Sequence, residues 1–159
     1  MGTRSRIGIK LTNGNILSAY HHYDGYPQWL GKKLVQHFNS YDEASELIDG
    51  GDMSVCHTTD TWGSNVIYQT IVKSDGTTIK RSLKNSDGST MYDTQKETPS
   101  PLYYSERGES GVEPRLDTDL FEYLNNGEEY AYVFENGSWT AYDLHEFDDQ
   151  EPEVVSIPE

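Results

Sequence analysis

A chain of 159 residues is long enough to bury one core, but only 34% of it is hydrophobic, so the interior has to lean on 12 Tyr, 4 Phe and 3 Trp. A formal charge of −15 excludes a general nucleic-acid binder, and a single cysteine excludes an intramolecular disulfide. No stretch has the apolar length of a membrane span or a signal peptide, so a soluble, intracellular protein is expected.

The charge is uneven. Residues 1–40 hold five Lys/Arg and one acid, a net of +4, whereas residues 41–159 hold seven Lys/Arg against 26 acids, a net of −19. The first surface suits a small anion and the second a basic protein partner.

In chain order, Ile7, Ile9 and Leu11 alternate with Arg6, Gly8 and Lys10, the pattern of a half-buried strand. Asn13-Gly14 supplies the residues of a tight hairpin turn. The return strand, from Asn15 to Tyr23, places Ser18, Tyr20 and His22 on one face and Leu17, Ala19 and His21 on the other. Arg4 and Arg6, two residues apart, share a face by the same rule. Asp24-Gly25-Tyr26-Pro27 ends the strand, and Pro27 opens a helix whose apolar stripe is Leu30, Leu34 and Phe38 with Val35.

Ser40 with Glu43 forms a capping box for a second helix carrying Ala44, Leu47 and Ile48, stopped at Gly50-Gly51. Residues 52–64 read as irregular. Residues 65–73 and 77–83 form a second hairpin around Ser74-Asp75-Gly76, and residues 84–101 read as a long mobile loop. A short strand at Leu102-Tyr103-Tyr104, a short helix from Asp117 or Thr118 through Asn126 and a third hairpin around Asn136-Gly137 follow. The expected fold is α+β, a mainly antiparallel sheet of three hairpins with two or three short helices. It forms one domain over residues 1–145 and leaves 146–159 as an acidic tail, flexible or laid along the surface.

The chemistry concentrates between Arg4 and Asn39. Candidate ligand-binding residues are Arg4, Arg6, His22, Tyr23, Asp24, Tyr26 and Trp29, joined by Arg107 from Glu106-Arg107-Gly108-Glu109. Guanidiniums, the amides opening the helix at Gln28–Leu30 and the pair Lys32 and Lys33 suit a phosphate, while Tyr and Trp offer stacking faces. No phosphate-loop or dinucleotide motif is present. A His/Asp pair at 21–24 is the only acid–base candidate and lacks a nucleophile in motif context. His21, His22, Asp24, His37 and His57 do not follow a metal-ligand spacing, and neither a metal nor another cofactor is expected. Cys56 beside His57 does not form a reactive dyad, since adjacent residues rarely face each other.

The segments GTRSRIGIKLTNGNILSAYHHYDGYP, GKKLVQHF, ELIDGGDMS, YYSERGE and YAYVFENGSWTAYDL are similar to a family of small acidic accessory proteins of tailed phages and prophages. The resemblance implies a phage-encoded protein acting in the host bacterial cytoplasm. It transfers no activity, cofactor or catalytic residue. The leading expectation is a non-enzymatic binding protein that antagonises a host or anti-phage defence protein through its acidic, Tyr-rich surface. The alternative is a sponge that sequesters a nucleotide-derived immune signal in the basic, aromatic N-terminal site; a small His/Asp-dependent hydrolase comes third. No direct nucleic-acid or membrane contact is expected, and homo-oligomerisation stays open.

Overall fold

The computed structural model of the chain describes residues 3–145 and 153–158, without the side chains of residues 63–65 and 93–95. It is an α+β fold: ten strands, most of them in one mixed sheet, a small two-stranded antiparallel sheet and three short α-helices among the described residues.

The first hairpin forms where Asn13-Gly14 predicts it, with β1 (Ser5–Lys10) antiparallel to β2 (Ile16–His21) from Ser5↔His21 to Lys10↔Ile16. Gly14 takes φ 89, the left-handed region that suits glycine. The third hairpin pairs β8 (Tyr130–Glu135) with β9 (Ser138–Asp143) around Asn136 and Gly137, both at positive φ. β8 then joins β1 in parallel, Ile7 opposite Tyr132. With β3 (Met53–Val66), β6 (Tyr92–Tyr103) and β10 (Glu153–Val155), the sheet order is β10-β9-β8-β1-β2-β3-β6, and β7 (Arg115–Asp117) is also paired to β2.

The two sheet faces bury separate clusters, as the period-two rule requires. Ile7, Ile9, Ala19, Tyr132 and Phe134 lie with Leu30, Leu34, Ala44, Leu47 and Ile48, so the helical segments cover that face. On the opposite face Ile16, Ala131 and Val133 meet Tyr123 and Leu124 of α3 (Leu120–Leu124). Burying roughly twenty apolar side chains at about 1.5–3 kcal/mol each for the large ones is what opposes chain entropy here.

The helix predicted from Pro27 begins as a wide π-type turn, Pro27–Gly31, and becomes α1 at Lys32–His37. Leu30 and Leu34 are buried as expected, whereas Val35 is exposed. α2 (Tyr41–Asp49) is capped as predicted: Ser40 Oγ accepts from the Glu43 N–H at 3.1 Å and donates to Glu43 Oε1 at 3.0 Å. α3 is capped by Asp119 rather than by Asp117 or Thr118.

Two expectations are corrected. Residues 52–64, expected to be irregular, contain most of strand β3 (Met53–Val66), and the loop expected at 84–101 gives way to β6 (Tyr92–Tyr103). Their polar residues hid the pattern, because a strand whose ladder partner is supplied by the chain does not need to be apolar. The short segment Arg115–Asp117, for which the sequence gives no signal, pairs with β2. In the tail, residues 146–152 lie outside the described set, while β10 (Glu153–Val155) pairs antiparallel with β9.

The chain divides into two compact units, one formed by the described residues of 1–58 and 100–159, the other by 59–99. The second contains the hairpin β4 (Tyr68–Val72) and β5 (Thr78–Ser82), closed at Asp75-Gly76, where Asp75 accepts from both the N–H and the hydroxyl of Thr77.

Candidate functional site

Beside α3, the sheet face that buries Tyr123 carries polar side chains instead of helices. Register fixes which ones. Arg6 lies opposite Tyr20 across the β1–β2 ladder, so Arg4, Arg6, Tyr20 and His22 share this face, while His21 is turned to the other. β3 enters beside β2 at His21↔Met53, which brings Asp52 and Ser54 alongside. The 3-10 turn Tyr104–Arg107 (YSER) supplies Tyr104 and Arg107, and β7 supplies Arg115.

The geometry is closely held. Arg6 is 8% exposed; its Nε donates to Ser18 Oγ at 3.0 Å and its Nη2 to Ser18 O at 3.2 Å. Burial, and then the charge of Arg115, lowers the Arg6 pKa. Tyr20 Oη lies 2.6 Å from His22 Nδ1, and burial pushes the Tyr20 phenol up to about 12. Asp52 accepts from the Tyr20 N–H at 3.0 Å and is raised by its own burial. His22 meets the ring of Tyr23 edge-on at 4.5 Å. Tyr104, its phenol pKa raised by burial, hydrogen-bonds Ser54 and lies under the Arg107 guanidinium at 4.8 Å. Arg107 is ion-paired with Glu109, Arg115 with Asp117 at 3.0 Å, and Arg4 lies 3.8 Å from Glu128.

Of the eight predicted site residues, Arg4, Arg6, His22, Tyr23 and Arg107 therefore come to this face. Trp29 does not. The turn at Pro27 carries it to the opposite face, against the main core, 6.1 Å from the His21 ring and under Lys33 Nζ at 5.7 Å. Two of the three amides expected to greet an anion are spent, since the N–H groups of Trp29 and Leu30 both donate to Tyr26 O. Asp24 sits at φ 54 and accepts from the Tyr26 hydroxyl at 3.3 Å, on the exposed loop. The His/Asp pair proposed from sequence is not assembled either: His21 is fully buried with Nε2 accepting from the Cys56 N–H at 3.0 Å, and His22 is held by Tyr20.

Sequence reasoning missed Tyr20, Asp52, Ser54, Tyr104, Arg115 and Glu128. Tyr20 was legible as a face-mate of His22; the others come from segments 30 to 110 residues away along the chain. Among the candidate metal ligands only His37 and His57 meet, stacked at 4.1 Å, and no cluster of three or more His, Cys, Asp or Glu suited to a metal occurs among the described residues. No helix among the described residues is long and apolar enough to cross a membrane. No family model, curated protein or solved structure matches the chain.

Proposed function

We propose that this chain is a non-enzymatic binding protein that sequesters a small anionic, aromatic ligand of the nucleotide-derived class on the polar face of β1–β2–β3. The observation that carries the reading is the convergence of Arg4, Arg6 and Arg107 with Tyr20, His22, Tyr23 and Tyr104, from three separate stretches of sequence, on one side of one sheet. Guanidiniums recognise phosphate or carboxylate by paired N–H donors, and tyrosine and histidine rings add stacking surface for a base. A rigid sheet holding such groups through Ser18, Ser54 and Asp52 loses little entropy on binding. In the phage context that the resemblance implies, the protein would remove an immune signal in the host cytoplasm.

The test is native mass spectrometry of the protein purified from a nucleotide-rich bacterial lysate. A retained small mass, released on denaturation and lost in Arg4→Ala and Arg107→Ala, supports the reading. An apo mass accompanied by no calorimetric binding across a panel of mono-, di- and cyclic nucleotides rejects it.

A second reading, antagonism of a host protein through the acidic surface, is favoured by a different observation. α2 presents Asp42, Glu43, Glu46 and Asp49 to solvent beside an exposed Tyr41, without a basic residue in the helix. Charge reversal at Glu43 and Glu46 would then abolish capture of the partner, steeply with salt, while leaving ligand binding at Arg4 intact.

A further inference from the structure

The face proposed as a ligand site already holds a carboxylate beside Arg4. Glu128 belongs to the turn between α3 and β8, where Gly127 takes φ 78 with open space about it. The backbone of that turn is fixed on both sides of Glu128: its N–H donates to Asn126 Oδ1 at 2.8 Å, and the next N–H, of Glu129, donates to Arg4 O. The Glu128 side chain, 15% exposed, points inward. Its favourable charged neighbours are Arg4, Arg6 and Arg115, its opposing neighbour is Glu129, and Tyr20 also feels its charge.

Three guanidiniums should grip a carboxylate at 2.7–2.9 Å if they were built for it. They do not. Glu128 Oε2 is buried without a hydrogen-bond partner, and Arg4 Nε stands 3.8 Å away, outside hydrogen-bond range. The donors are not exhausted by other partners: Arg6 spends Nε and Nη2 on Ser18, and Arg115 spends Nε on Asp117 and Nη2 on Tyr123 O, each leaving part of its five-donor fork. A buried anion among under-used donors is a poorly matched occupant of a well-supplied place.

The geometry points to Glu128 as a resident placeholder for the anionic group of the ligand. A phosphate or carboxylate of the ligand takes the position of the Glu128 carboxylate beside Arg4, within the field of Arg6 and Arg115, and the Glu128 side chain rotates about its own bonds to solvent while the turn's backbone stays in place. No covalent step is involved. A phosphoryl group brings more acceptor oxygens than a carboxylate, so it can use the remaining N–H groups that Glu128 leaves idle. This inference rests on the ligand-binding reading above.

Calorimetric titration of the full chain with inorganic pyrophosphate tests it, comparing wild type, Glu128→Gln and Glu128→Ala with Arg4→Ala as control. Removing the competing charge should tighten binding about fivefold or more at pH 7.5 in both Glu128 variants. Burial raises the Glu128 carboxyl above its ordinary range, so the advantage over wild type should shrink when both are measured at pH 5; comparing proteins at one pH cancels protonation of the probe. Binding by the Glu128 variants alone is also supportive. Binding by wild type that Arg4→Ala weakens but Glu128→Gln and Glu128→Ala leave unchanged or weaken overturns the placeholder and spares the ligand site. Absence of binding in wild type and both variants overturns the two together. Thermal melts identify a variant that has not folded, and the other is then read.

Discussion

His21 is a buried titratable residue whose environment admits only the neutral ring. It has no exposed surface, its Nε2 accepts from the Cys56 N–H, and Nδ1, which must carry the proton in the neutral ring, has no hydrogen-bond partner. Burial, with a smaller contribution from His22, lowers its pKa to about 3 from 6.5. The unfolded chain binds this proton more tightly than the folded one, so the contribution to stability is complete above pH 6.5 and is lost as the pH falls toward 3. Each pH unit within that window removes up to about 1.4 kcal/mol. Denaturant melts of wild type between pH 7 and 4 should show this decline, and His21→Gln, which keeps an acceptor for Cys56 but cannot be protonated, should flatten it. Parallel curves for the two proteins would refute the assignment. The neighbouring His22 is a contrast at one residue's remove, because alternation turns it to the polar face and into hydrogen-bond range of Tyr20. That division of labour was legible from the two-residue period alone. What period cannot supply is distance along the chain: nothing near Arg4 in sequence announces Glu128, Asp52 or Tyr104.

At the scale of elements, two substitutions around α2 separate a cap from a packing contact. Ser40→Ala removes one side-chain acceptor at an exposed N-terminus and should cost about 1 kcal/mol. Gly50, at φ −70, has no conformational need to be glycine, but a Cβ there would lie 2.2–2.6 Å from the Tyr103 ring. That ring cannot retreat cheaply, since its hydroxyl donates to Leu47 O at 2.7 Å and it packs against the main core. Gly50→Ala should therefore cost more than Ser40→Ala, about 1–3 kcal/mol, with the difference read as a lower melting temperature at unchanged far-ultraviolet circular dichroism. If alanine at 50 is the milder change, Tyr103 is not the fixed wall that this packing requires. The same elements mark what sequence can and cannot give. Ser40 and Glu43, and the glycine-bearing turns at 13–14 and 136–137, are local signals and produced the elements they announce. β3 and β6 are not local, because Ser54, His57, Thr58 and Thr59 or Lys96, Glu97 and Thr98 read as coil until a neighbouring strand supplies their hydrogen bonds. The parallel joining of β1 to β8 spans about 125 residues and leaves no trace in any window.

For the molecule as a whole, charge and architecture divide at the same places. Residues 59–99 contain Lys73, Lys80, Arg81, Lys84 and Lys96 against Asp60, Asp75, Asp87, Asp93 and Glu97, so their net charge is zero and the entire −15 belongs to the other unit. That other unit also contains both buried clusters and every residue of the proposed site. The 59–99 unit, by contrast, exposes Tyr68, Val72 and Tyr92 and is built on local turns at Asp75-Gly76 and Asp87-Gly88. The β4–β5 hairpin within it is thus local, and the segment contributes little closure entropy per added residue. β6 follows β3 in the sheet order, so a short Gly-Ser turn joining residue 58 to residue 100 can close the chain where the two strands are neighbours. The shortened protein should keep a cooperative melt, the near-ultraviolet signal of Trp29 and Trp139, and the Arg4-dependent binding of pyrophosphate or nucleotide with an affinity within about threefold of wild type. Loss of cooperativity would mean that β3 and β6 need their full length to hold the sheet edge. Retained folding with lost binding would refute the assignment of the whole site to the unit formed by residues 1–58 and 100–159.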